Sequence, residues 1–244
     1  MIKKRLMNIS PKFALKILIL AAVVLLGVNA IQVNAQKINE ARQKVEEVRT
    51  GLRNAIKIKQ EEAKKQIEAV REQVKEKVKT QREAFKEKIS QMKDERKRQT
   101  AERLEEQLNQ INERWTTHFS NVLNQLENVL AKIEIRAQKA EVNGSDVSSV
   151  KTAIETARNA IKTARDAVVT QAAKGYTVTF ESEDKLKDAF KTVKEQLRKD
   201  LTGLRDGAIR NARKAVQDVF QALRQIPGVD KEPTATSTPA GTNE

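Results

Sequence analysis

Residues 37–60, KINEARQKVEEVRTGLRNAIKIKQ, decide the fold. Ile38, Ala41, Val45, Val48, Leu52 and Ala55 recur in alternating steps of three and four, so all six fall on one stripe of an α-helix. Most of the remaining positions carry Glu, Lys, Gln, Arg or Ala, which are strong helix formers. A stripe that narrow calls for another helix alongside it.

Outward from this stretch the pattern persists. Between Lys37 and Glu141 the only glycine is Gly51 and there is no proline. The stripe continues through Ala63, Ile67, Val70, Val74, Val78, Phe85, Ile89 and Met92, with only Gln81 and Arg82 where an apolar side chain is due after Val78. It fails over Lys93–Thr100, a run dominated by charge, and resumes at Ala101, Leu104, Leu108, Ile111, Trp115, Phe119, Val122, Leu126, Val129 and Ile133. Leu123, Leu130 and Ile135 widen that second stripe enough to touch two neighbours.

Asn143-Gly144 stops the helix, and Ser145 or Asp146 can cap the next one by accepting from its free amides. A second helix is expected from about Val147 to Ala173, with Val150, Ile154, Ala157, Ile161, Ala164 and Val168 inward. Tyr176–Phe180 alternates like a strand, but no second strand pattern exists to pair with it, so it reads as an extended linker. The third helix is expected from Ser182 or Glu183 to Ile226, with Leu197, Leu201, Leu204, Ala208 and Ala212 among its inward positions and Gly203 and Gly207 weakening its middle. Pro227-Gly228 ends it, and the Thr/Pro-rich residues 229–244 lack any periodicity.

The expected fold is all-α: a very long amphipathic helix leading into an antiparallel three-helix bundle, with a disordered C-terminal tail. The division is 1–35 as signal peptide or anchor, 36–100 as a coiled-coil-like stalk, 101–228 as the bundle and 229–244 as the tail. At 1.5 Å per residue, residues 36–100 span about 98 Å and the later helices about 41 and 66 Å. Either the stalk projects and pairs with another copy, or the break near Lys93–Thr100 lets it fold back.

The amino end carries Lys3, Lys4, Arg5, Lys12 and Lys16 before an apolar run, Ile17–Val28, and then Val33-Asn34-Ala35 with small or compact residues. That order reads as an export signal cut after Ala35. The alternative is a retained transmembrane helix, since residues 17–36 carry no charge and span about 30 Å. Both readings place residues 36–244 outside the cell, secreted or anchored in the envelope. Of the formal charge of +14, removal of the first 35 residues takes five basic side chains and leaves +9.

Absence of cysteine excludes disulfides, cysteine nucleophiles and cysteine-ligated metal. The one histidine, His118, lies near Trp115 and Phe119 with Arg114 one turn away, and no sequence-marked nucleophile or relay accompanies it. It reads as a histidine on a helix flank. Lys93, Arg96, Lys97, Arg98 and Arg103 form a basic cluster interrupted by Asp94, Glu95 and Glu102. Solvated surface is the first reading of that cluster, anionic lipid or polymer the second; nucleic acid is not expected without a stacking platform or motif. Catalytic, cofactor and metal sites are all expected to be absent. Asn143-Gly144-Ser145 fits a glycosylation acceptor, although its turn chemistry comes first.

Phe119, Leu123, Leu126, Leu130, Lys132, Ile133 and Arg136, followed by Gly144, Asp146, Val147 and Ser148 and then by Ile154, Ala157, Ile161 and Ala164, form an arrangement over residues 110–170. It resembles uncharacterised exported or membrane-anchored helical coiled-coil proteins of ultrasmall, candidate-phylum bacteria. That resemblance implies an envelope address and helical hairpins, with no activity attached. The function expected is a non-enzymatic cell-envelope structural or scaffolding protein acting by helix–helix association. Its partner would be another copy or another helical envelope protein, bound through residues 36–100, with the membrane engaged through residues 17–36 if they are uncleaved. The alternative is an envelope binding module that meets anionic lipid or polymer through amphipathic and basic helix faces.

Overall fold

The computed structural model describes residues 11–229, with side chains from residue 36 onward. Its helices are α1 (Pro11–Ser90), α2 (Glu95–Val142), α3 (Ser148–Ala172), α4 (Leu186–Leu204) and α5 (Arg210–Arg224). A 3₁₀ turn, Glu183–Lys185, leads into α4, and a π-helical turn, Arg205–Ile209, joins α4 to α5 as one rod. Counting that rod once, four helices pack into a bundle, with no strand among the described residues.

The charged interruption after Met92 is where α1 ends and the chain reverses. Asp94 caps α2, its Oδ1 accepting from the Arg96 and Lys97 amides at 2.9 and 3.2 Å. The two helices then run antiparallel: Arg82 donates to Glu105, Arg71 to Thr116, and Gln60 to the carbonyl of Asn124. Of the two dispositions open to the stalk, the chain therefore takes the folded-back one. From Ala63 through Ile67, Phe85 and Ile89 to Met92, buried side chains of α1 lie on α2 and α3 of the same chain.

Gly144, at φ +85°, makes the second reversal. Ser145 N–H donates to Ala140 O at 2.9 Å, and Asp146 Oδ1 accepts from the Ser148 amide at 2.9 Å. These bonds satisfy α2's last carbonyls and one of α3's first amides. Two cross-links then fix α3 on α2: Arg158 to Glu134 at 2.6 Å and Arg165 to Glu127 at 2.7 Å.

At 25 residues, α3 covers about 38 Å, roughly half the 72 Å of the 48-residue α2. Residues 174–180 carry on along α2 as an extended strap, so that Tyr176 lies by Asn109 and Glu183 by Lys97. Its alternation is real even though it pairs with no strand: Tyr176, Val178 and Phe180 are buried, while Thr179 is exposed. An extended chain is thinner than a helix, so large side chains fill the space around it. Phe85 of α1 meets Phe180 and Phe190 edge-on at 5.9 and 6.0 Å. Gly175 is required where the strap passes α1, because a Cβ there would lie 2.3 Å from Val78 Cγ1.

The α4–α5 rod buries Leu197, Leu201, Leu204, Ile209, Ala212, Val216, Val219 and Leu223. Every step in that series is three or four except Leu204 to Ile209, which is five. The π turn absorbs it, since i→i+5 bonding holds an extra residue in one turn. Ile209 is thus the fully buried residue where a straight α-helix would have placed Ala208, which is only partly covered.

The membrane expectation is corrected. Among the described residues, no helix is long and apolar enough to cross a membrane. From residue 37 onward no stretch of α1 or α2 longer than the twelve residues 115–126 is free of charged side chains, so no span of about 20 apolar residues can form. The transmembrane, secreted and envelope readings, the anchored or exported location, and the membrane and its lipid as partners are accordingly not retained. The side chains of residues 17–35, which carried the signal or anchor reading, lie outside the described residues, as do residues 1–10 and residues 230–244 of the expected tail.

Candidate interaction surface

Helix α2 is the central element, touching α1, α3, α4 and α5. Its buried side chains step Ala101, Glu105, Leu108, Asn112, Thr116, Phe119, Leu123 and on to Leu130, Ile133 and Ala137. Three polar residues therefore stand on the inward line while Leu104, Trp115 and Val129, expected to be inward, remain 41%, 41% and 44% exposed. The helix is turned by about 50°, roughly half a residue step, from the orientation its greasiest stripe suggests.

Each inward polar group has a partner on another element. Glu105 Oε2 accepts from Arg82 Nε at 3.0 Å, while its Oε1 is buried without a hydrogen bond. Asn112 Nδ2 donates to the carbonyls of Gln171 and Lys174, both at 3.1 Å, and so closes the carboxyl end of α3. Gln171 Nε2 donates to Asn112 Oδ1 at 3.0 Å and to the Tyr176 hydroxyl at 2.7 Å. That hydroxyl donates in turn to Asp200 Oδ2 at 2.7 Å, where Lys174 also ion-pairs at 3.0 Å. Thr116 Oγ1 donates to the Asn112 carbonyl and accepts from Arg71 at 2.9 Å. Burial and the bond to Asp200 push the Tyr176 pKa up. Burial alone would raise the Asp200 pKa, but bonds from Tyr176, Lys174 and Gln196 outweigh it and hold the carboxyl low. This network ties the strap to three helices.

The displaced apolar residues form a ridge. Leu104, Ile111, Trp115, Val122, Leu126 and Val129 follow one side of α2 for about 38 Å, with Ile111, Val122 and Leu126 half-covered by the core. Beside the ridge, on its solvent side, lie Arg103, Gln107, Gln110, Arg114, Gln125 and Lys132. Among the described residues Arg103, Arg114 and Lys132 have no ion-pair partner. On the opposite side of α2 four acids are matched: Glu105 by Arg82, Glu113 by Arg71, Glu127 by Arg165 and Glu134 by Arg158. Intramolecular packing thus consumes negative charge on α2 and leaves positive charge along the uncovered apolar edge.

His118 belongs to this edge. It is exposed, its ring set edge-on to Trp115 at 5.8 Å and tilted against Phe119 at 5.8 Å, beside a shallow hollow lined by Ile111, Arg114 and Trp115. The basic cluster, by contrast, is split up by the fold. Lys97 pairs with Glu183 of the 3₁₀ turn at 3.0 Å and Arg98 with Glu95, leaving Arg103 to the ridge. Asn143 and Gly144 make the α2–α3 reversal. A separate cleft of about 680 Å³ opens where α1 stands off from α2 and α3, floored by Leu52, Ile56, Leu130 and Val169. Its rim cations Arg158, Arg165 and Lys162 are paired with Glu134, Glu127 and Asp166.

Periodicity found the apolar residues of α2 but not which of them face inward. Glu105, Asn112, Thr116 and Gln171 were missed as core residues. The signal that reaches them is their three-and-four spacing from Ala101, Leu108 and Phe119, read without regard to polarity. The chain matches no family model, no curated protein and no solved structure.

Proposed function

We propose that the protein is a non-enzymatic structural or scaffolding element that works by helix–helix association. The observation that carries this reading is the α2 ridge: an apolar stripe at helical spacing over about seven turns, with no helix laid over it among the described residues. A groove-seated helix reads such a stripe through residues at i, i+3, i+4 and i+7. His118 fits the same reading, since its neighbours are aromatic rings on the ridge edge and its role there is contact area.

Photo-crosslinking tests it. A photoreactive side chain placed at Ile111 or Val129 is expected to form adducts with a helical segment of another molecule, whether a copy or a different protein. The same group at the exposed Thr163 of α3 should form far fewer. Equal yields at the ridge and at Thr163 would remove the basis for the proposal.

A further inference from the structure

We infer that the α2 ridge receives an amphipathic helix of a different protein, about 25 residues long, whose apolar stripe is flanked by glutamate or aspartate. The inference rests on the helix-association reading and adds the chemistry of the partner. Length comes from the ridge: Leu104 to Val129 spans about 38 Å, which a helix of that size matches at 1.5 Å per residue.

Charge decides between partners. Of the carboxylates of α2, Glu105, Glu113, Glu127 and Glu134 meet arginines of α1 and α3, and none has its own position in the row of residues beside the ridge. The charged residues on the solvent side of the ridge from Arg103 to Lys132 are Arg103, Arg114 and Lys132, with His118 and uncharged amides between them. A second copy docking ridge to ridge would set these cations against their own counterparts, in either helix direction, with no carboxylate between them. Like charges across an interface disfavour it, whereas carboxylates in the flanking positions of a partner helix would meet all three cations at once. Gln107 and Gln125 suit such a partner too, since their amide groups donate to carboxylates.

Trp115, the single tryptophan of the chain, sits in the ridge and reports on its cover. The full chain is titrated with two synthetic helices sharing one leucine stripe and lacking tryptophan, one flanked by glutamate and the other by lysine. The glutamate-flanked helix is expected to shift Trp115 emission to shorter wavelength, with affinity falling by about tenfold between low and high salt. The lysine-flanked helix should bind at least about tenfold more weakly at low salt. Exchanging the exposed cations in R103E/R114E/K132E should reverse that order, with circular dichroism confirming that the fold is kept. Equal response to both helices, or an order unchanged by the triple exchange, overturns the inference. So does concentration-dependent dimerisation of the chain alone that Trp115→Glu abolishes, because the occupant would then be a second copy. In that last case helix association itself stands, and the crosslinking at Ile111 and Val129 tells whether it does.

Discussion

Tyr176 shows how much one side chain holds in this molecule, because its hydroxyl links the end of α3 to α4 through Gln171 and Asp200. Tyr176→Phe is expected to cost about 1–2 kcal/mol in denaturant unfolding, the usual range for losing a buried hydrogen bond. The pH dependence has a definite sign. The folded pKa of Tyr176 lies above the ordinary 10, so its contribution is whole below pH 10 and fades as the unfolded chain ionises above it. Asp200 is held below 3.8, so its contribution is present at neutral pH and lost as pH falls through its folded value. Stability of the native chain above pH 10 should therefore fall more steeply than that of the Phe variant. Glu105 makes the opposite case. One of its oxygens is buried without a partner, and Arg82 is 36% exposed and can return to water. Glu105→Leu is expected to raise the denaturation midpoint, by about 1 kcal/mol of added stability.

At the scale of the element, the π turn explains a five-residue step in an otherwise regular stripe. Deleting Gly207 should convert Arg205–Ile209 to plain α-helix and bring the isoleucine onto the inward line with a four-residue step. The expected result is a folded chain of equal or higher melting temperature, since a helical glycine costs about 1 kcal/mol relative to alanine. A fall of many degrees would show that the extra residue is needed for register. The existence of every helix, the reversal at Gly144 and the extended strap were all legible in the sequence, because they rest on local spacing and turn chemistry. The rotation of α2 was not. Asn112 and Glu105 are tolerable inside only because Gln171 and Arg82, 59 and 23 residues away, supply their bonds. Hydropathy read along one helix ranks Trp115 above Asn112 and has no access to those partners, so the ridge proposed as the interaction surface reads as core.

Across the whole molecule, α1 is unevenly held. Among the described side chains, those of α1 buried before Ile67 are Val45 and Ala63, whereas Ile67, Phe85 and Ile89, with Met92 just past its end, anchor it nearer the α2 turn. The cleft of about 680 Å³ lies beneath the poorly held part. Hydrogen exchange should therefore proceed at least about tenfold faster for amides of residues 46–62 than for those of residues 67–90, a difference in opening free energy of about 1.4 kcal/mol. Uniform protection along α1 would mean that the cleft does not loosen the helix.

The strap has one more consequence. Proteases grip backbone in the extended form, and residues 174–180 present it with the exposed Lys174 at its start. Trypsin is expected to nick the folded chain there first. The two pieces should nevertheless elute together, because α5 lies against α2 and α3, and a cut after Lys174 leaves Lys97 reaching across it to Glu183. Cleavage would then leave a two-part complex whose halves meet along a complete core.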